Sequence, residues 1–144
     1  MIDNFYKYGR STLAVEEVPL EKTGNYGIIK GTPLNDSPYI LEDIVEKPKP
    51  EDAPSNIGAI GRYVFIPGIL DCIKETVTGV GNEIQLTDGI RLLNNTQKIY
   101  AYRFTGKRYD TGDKTEYVKA IIDFALNNED MKEQIKEHLA GIHL

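Results

Sequence analysis

"EDIVEKPKPEDAPSNIGAIGRYVFIPGIL", residues 42–70, carries an apolar run, a proline-dense loop and a second apolar run, with Glu46, Lys47 and Pro48 at the first junction. Successive side chains of a strand point to opposite faces, so neighbouring Glu46 and Lys47 share a face only where the backbone bends. Pro48 predicts that bend, because it fixes its own φ and restricts the residue before it. "YILEDIVE" then reads as one strand, with Ile40, Ile44 and Val45 near alternation, and "IGAIGRYVFI" as the next.

The flanks supply the rest of the fold. Ile2, Phe5 and Tyr6 recur at helical spacing before a stop at Gly9, and "STLAVEEVP" predicts a strand ended by Pro19. "YGIIKG" adds a short apolar run flanked by glycines. Pro67 followed by Ile69, Leu70, Ile73 and Val77 predicts the helix "PGILDCIKETV" with those four residues as its apolar stripe. After "TGVGNE" a second helix is expected, capped by Thr87 or Asp88, with Ile90, Leu92 and Leu93 inward. "KIYAYRF" alternates as a strand, and "DKTEYVKAIIDFALNN" has a capping-box start at Asp113 and Glu116 with a stripe of Tyr117, Val118, Ile121, Ile122 and Ala125. Met131, Ile135 and Leu139 line a last helix ended by Gly141. The order α, several β, α, α, β, α, α predicts an α/β sheet covered by helices, and its irregular alternation suggests the second half of a larger fold.

With 144 residues the chain suits one compact domain, residues 1–144, able to bury roughly 68–70% of the surface of its unfolded form. Seventeen basic against twenty-two acidic residues give a net charge of −5, which disfavours a duplex-binding surface, so no nucleic-acid partner is expected. Cys72 is a lone cysteine, and neither a leader nor a run of about 18 apolar residues is present, so a cytoplasmic, non-membrane setting is expected.

Several residues carry candidate chemistry. Glu46 can accept sugar hydroxyls while the Lys47 ammonium reaches a phosphate as a point charge, although a solvated pair at a strand end has the same spacing. Gly27 lets a ligand approach the backbone, or marks a plain turn. Gly58 and Gly61 within a strand require a close neighbour or a bulge, and Tyr63 brings a hydroxyl nearby. Asp110 in "KRYDTG" suits a hard cation that binds one or two carboxylates plus phosphate oxygens, or else an Asx turn. His138 and His143 have no metal-ligand spacing around them, and "GVGNEIQLTDG" lacks both glycine-rich phosphate-loop patterns. No Ser-His-Asp set is present, and Cys72 sits beside Leu70 and Ile73 without an activating neighbour.

In this order, "VEEVPLEKTGNYGII", "IVEKPKPEDAPSN", "GRYVFIPGI", "GNEIQLTDGI" and "GKRYDTGDKTEYVKA" resemble the C-terminal half of the bacterial UTP–glucose-1-phosphate uridylyltransferases. "EKP" and "YDTG" recur across sugar nucleotidyltransferases, whereas "APSN" with "GRYVF" and "EIQLTD" resembles the uridylyltransferase branch more narrowly. The resemblance implies a nucleotide-diphospho-sugar transferase fold, a Rossmann-like mixed sheet between helices, of which this chain is the sugar-binding side. It implies Gly27 as backbone donor to the sugar, Glu46 as hydroxyl acceptor, Lys47 as the catalytic phosphate contact, Gly61 and Tyr63 in the glucose 1-phosphate pocket, and Asp110 as a Mg²⁺ ligand. Arg62, Glu83 and Asp88 fall inside the motifs without a firm role.

The implied reaction joins UTP and glucose 1-phosphate into UDP-glucose and pyrophosphate in a homodimer or homotetramer of the full-length enzyme. The family's G-x-G-T-R loop and first metal aspartate have no counterpart here, so the nucleotide-binding portion is expected to be absent and the chain inactive alone. Transfer from dTTP or CTP, or a non-catalytic sugar-phosphate-binding module, are the alternatives.

Overall fold

The computed structural model describes residues 1–34, 38–78 and 82–142. Contacts divide the chain into two compact units, Met1–Phe104 and Thr105–Leu144.

The first unit is built on five strands: β1 (Thr12–Glu17), β2 (Gly27–Pro33), β3 (Tyr39–Glu46), β4 (Ile57–Val64) and β5 (Tyr100–Arg103). The α/β class holds, and the mixed sheet closes on itself in the order β1-β4-β2-β3-β5. All pairs are antiparallel except β1 with β5, where Thr12 faces Tyr100 and Val15 faces Arg103. The pairings that close it are short, β2 meeting β4 at Ile28–Gly58 and β3 meeting β5 at Tyr39–Ala101 and Ile40–Tyr100. Helices α1 (Ile2–Tyr8), α2 (Ile69–Glu75) and α3 (Leu86–Thr96) belong to this unit. Single 3₁₀ turns cover Leu20–Asn25 and Pro50–Asp52.

Two bulges decide which side chains enter the core. Lys30 pairs with Asp43 but Gly31 with Leu41, so β3 carries an extra residue, Glu42. Leu41 and Ile44 lie an odd number of positions apart and would face opposite sides of a regular strand; the bulge lets both be buried. Between the pairs Leu13–Tyr63 and Val15–Ala59, β4 likewise carries extra residues, and Gly61 takes φ +71° within that stretch. A left-handed bulge residue favours glycine because any Cβ would be strained there.

The core gathers Leu13, Val15, Ile29, Ile44, Ile90 and Ile99 around the strands. Ser11 and Ser55 fasten the connections: Ser11 Oγ accepts the Ile66 N–H at 3.1 Å, and Ser55 donates to the Ile29 carbonyl at 2.6 Å while accepting the Ile57 N–H at 2.9 Å. The "APSN" stretch thereby pins the proline-dense loop onto β2.

Several expectations need correction. Helix α1 ends at Gly9 in the left-handed conformation as predicted, but it buries no residue; Tyr8 stacks on Tyr100 with ring centroids 4.4 Å apart. Helix α2 is shorter than its pattern: Ile69 is buried, whereas Leu70 is 61% exposed and Val77 is 81% exposed beyond the helix end. Helix α3 begins after Gln85, so Thr87 and Asp88 lie in its first turn rather than capping it. Ile90 and Leu93 face inward as predicted, and Leu92 is only partly covered. The "TGVGNE" loop falls partly outside the described residues, as does His143.

The second unit holds α4 (Lys114–Leu126) and α5 (Lys132–Ala140), which pack on each other. Asp113 Oδ1 accepts the Glu116 N–H at 2.9 Å, the expected cap. The reciprocal half of the box is replaced: Glu116 pairs with Lys119, and the Asp113 N–H goes to the Asp110 carbonyl. Tyr117, Val118 and Ile121, predicted to face inward, are exposed, and Ala120 and Ala125 are the buried residues of α4. No helix among the described residues is long and apolar enough to cross a membrane.

Two leucines separate core from surface. Leu13→Ala should cost about 2–5 kcal/mol of unfolding free energy, as buried truncations do, and Leu70→Ala less than about 1 kcal/mol. Urea unfolding followed by circular dichroism measures both; equal losses would contradict the core assignment.

Candidate functional site

The antiparallel register sets Gly27 directly opposite Glu46. The ladder ends there, and Lys47 turns the chain with φ +45°, a left-handed conformation. Such a turn costs a non-glycine residue roughly 1–2 kcal/mol. One hydrogen bond holds it, from the Lys47 N–H to the Tyr26 carbonyl at 2.9 Å. The bend expected from Pro48 is therefore present, one residue ahead of it.

The bend brings the two side chains to one corner. Lys47 Nζ lies 3.9 Å from Glu46 Oε1, with the lysine side chain 53% and the glutamate 19% exposed. That separation exceeds hydrogen-bond reach, so the ammonium keeps its donors for another acceptor.

Gly27 is where a close approach is required. A Cβ on it would lie 2.9 Å from Thr87 Cγ2 and 3.3 Å from Glu46 Oε2 and Ile44 Cδ1. The Glu46 carboxylate thus lies across bare backbone, with the first turn of α3 on the other side. Thr87 is only 5% exposed, and its Oγ1 has no hydrogen-bond partner among the described residues. A buried hydroxyl without a partner costs about 1–3 kcal/mol. The sequence points to Thr87 only as a cap and does not reveal this. Threonine two residues into a helix looks the same whether or not its hydroxyl is satisfied.

Tyr63 stands on β4 and stacks on Phe65, centroids 5.2 Å apart. Burial, and secondarily the Glu46 negative charge, push its phenol above the ordinary value of 10.0. Glu46 and Tyr63 therefore share one electrostatic environment. Gly61 acts as the bulge residue already described, and a Cβ added to it would meet nothing within 4 Å. Gly58 instead receives the Tyr26 side chain, whose Cβ lies 3.2 Å from where its own would be.

Asp110 belongs to the second unit. Its side chain is exposed; Oδ1 accepts the Gly112 N–H at 3.0 Å, the Asx-type turn, and its carbonyl accepts the Asp113 N–H at 3.0 Å. No cluster of three or more His, Cys, Asp or Glu residues gathers as a metal cage among the described residues. A single exposed carboxylate fits Mg²⁺ as one ligand, since that ion keeps several waters and takes phosphate oxygens.

A cavity of about 630 Å³ lies elsewhere, along β3, the end of α2 and α3. It includes none of Gly27, Glu46, Lys47 or Tyr63, and several of its polar groups pair with one another: Arg91 pairs with Asp43 at 2.8 Å, and Asn94 donates to the Leu41 and Glu42 carbonyls. Unpartnered chemistry, rather than volume, marks the Glu46 corner as the site.

A closed mixed sheet flanked by helices, with a Glu-Lys corner at the end of β3, defines an α/β protein. The nucleotidyl transferase family model matches residues 1–126, and the chain belongs to that family. UTP–glucose-1-phosphate uridylyltransferase 1 of Streptococcus pyogenes serotype M3 is 43% identical over 141 residues, covering 96% of this chain and 46% of the relative. The crystal structure of UDP-glucose pyrophosphorylase complexed with UDP-glucose aligns over 88% of this chain and 48% of its own, with TM-score 0.83 and 43% identity. UTP-bound UGPase from Acinetobacter baumannii aligns over 99% and 49%, with TM-score 0.86 and 31% identity. The chain thus spans about half the length of the curated relatives it matches.

Tyr63 offers a direct probe of the corner. Its phenol keeps its proton in the folded state above pH 10.0, where the unfolded chain has lost it, so its contribution to stability is full below pH 10.0 and is lost as pH rises through the raised folded value. With ¹³Cζ-labelled tyrosine, Glu46→Gln should move the Tyr63 midpoint down yet leave it above the ordinary value, because burial is the larger cause. An unmoved midpoint would separate the two residues.

Proposed function

We propose that this chain is the sugar-1-phosphate-binding portion of a UTP–glucose-1-phosphate uridylyltransferase, which forms UDP-glucose and pyrophosphate from UTP and glucose 1-phosphate. The observation that carries the reading is the left-handed turn at Lys47, with the Lys47 ammonium 3.9 Å from a Glu46 carboxylate that lies against Gly27. The 43% identity to uridylyltransferases across 96% of the chain supports the branch.

The chemistry asks little of a general base. A phosphate monoester has its second pKa near 6, so glucose 1-phosphate is already a dianion at neutral pH. What remains is to orient it and offset its charge. Glu46 accepts sugar hydroxyls, with the buried Thr87 hydroxyl beside it and the Tyr63 ring alongside. Lys47 neutralises part of the phosphate charge and aims it. Asp110 is the residue that would hold Mg²⁺, which when bound offsets charge between two phosphate groups. Nucleotide recognition is assigned to the half of the relatives that this chain does not span. A cytoplasmic setting and a homodimer or homotetramer of the full-length protein complete the proposal; the first is supported by the lone Cys72, the second by the resemblance alone.

Titration calorimetry with glucose 1-phosphate and UTP separately tests the assignment. The chain should bind the sugar phosphate and show no comparable affinity for UTP. Removing a charge-assisted bond worth about 1.5–3 kcal/mol, Lys47→Ala should weaken glucose 1-phosphate about 10- to 100-fold. Glu46→Gln should weaken glucose 1-phosphate more than inorganic phosphate. Tighter binding of UTP, or unchanged affinities in both variants, would refute the reading, and robust pyrophosphate release by the isolated chain with UTP, glucose 1-phosphate and Mg²⁺ would refute the division of labour.

A further inference from the structure

Residues 105–113 run from the end of β5 to α4 without helix or strand, yet they are fastened on both sides of Asp110. Upstream, Lys107 forms an ion pair with Asp123 of α4, and the Tyr109 hydroxyl donates to the same oxygen, Oδ2. The Lys107 ammonium also sits 4.9 Å from the Tyr109 ring centroid, and that ring meets Phe124 of α4 at 6.1 Å. Downstream, the Asp113 cap ties the segment to the start of the same helix, and its N–H reaches back to the Asp110 carbonyl. Asp110 is thus the residue between two anchors, and one carboxylate, Asp123, accepts both polar contacts named for the upstream one.

We propose that Asp123 is a positioning residue: by holding Lys107 and Tyr109 together against α4, it fixes the segment that presents Asp110. This rests on the reading of Asp110 as a Mg²⁺ ligand, because only then does the segment's placement bear on function. A carboxylate ligand on an unstructured loop would sample many orientations, and ordering it on binding costs conformational entropy for every residue fixed. Two side chains converging on one acceptor remove most of that freedom beforehand. Lys107 is correspondingly committed to Asp123 and is not a spare cation for phosphate.

Hydrogen exchange of the amides of 107–112 reads the tether without any ligand. In Asp123→Ala these amides should exchange at least about tenfold faster, with the protection in the middle of α4 retained. Tyr109→Phe keeps the ring against Phe124 but loses the hydroxyl, and should give part of the effect; combined with Asp123→Asn, the two should be less than additive, since both remove the same bond. Wild-type exchange in Asp123→Ala and in Tyr109→Phe would overturn the proposal. Paramagnetic broadening by Mn²⁺ reads the metal separately. Asp110→Asn should abolish it at residues 110–113, and Asp123→Ala should raise the Mn²⁺ concentration needed about threefold or more. Broadening indifferent to Asp110→Asn would overturn the metal reading, whereas loop loosening in Asp123→Ala with unshifted Mn²⁺ dependence would overturn the positioning role.

Discussion

The site depends on one pairing, Gly27 against Glu46, and on the hydrogen bond from the Lys47 N–H to the Tyr26 carbonyl that stops the ladder one residue later. An extended Lys47 would send its side chain to the face opposite Glu46. The left-handed turn cancels that alternation and leaves an acid and its neighbouring amine 3.9 Å apart at one corner. The strain is held by the surrounding structure: Ser55 anchors the following loop to β2, and Ile44, fully buried, fixes the end of β3.

Much of this is legible in the chain. Helix α1 and its Gly9 stop, strands β1 and β3, the order of elements and the Asp113 cap follow from periodicity and capping chemistry, which are local. A bend here is legible from Pro48, but its left-handed form is not, since proline favours extended backbone in the residue before it whereas Lys47 takes φ +45°. What escapes a sequence reading depends on partners distant in sequence. A bulge at Glu42 arises from the register with β2, so the joint burial of Leu41 and Ile44 has no local signature. The expected stripes of α2 and α4 run too far because apolar spacing states which residues could be buried, not whether something covers them. Thr87 escapes for the same reason: the lack of a partner for its hydroxyl is a property of packing around Gly27.

Electrostatics give the two units different parts. In the first, the Lys47 ammonium lies 3.9 Å from the Glu46 carboxylate, whose charge adds to burial in raising the pKa of Tyr63. In the second, charge is spent internally, on the Lys107–Asp123 pair, and Asp110 is presented between its anchors. The uridylyltransferase relatives that the chain matches are about twice as long as it is.

Amide chemical-shift mapping of the ¹⁵N-labelled chain with glucose 1-phosphate tests the corner most directly. The account predicts saturable shifts concentrated at Gly27, Lys47 and Thr87, weaker with glucose or inorganic phosphate alone. Shifts confined to the residues around Arg91 and Asn94, or none at Gly27 and Lys47 at saturating ligand, would contradict it.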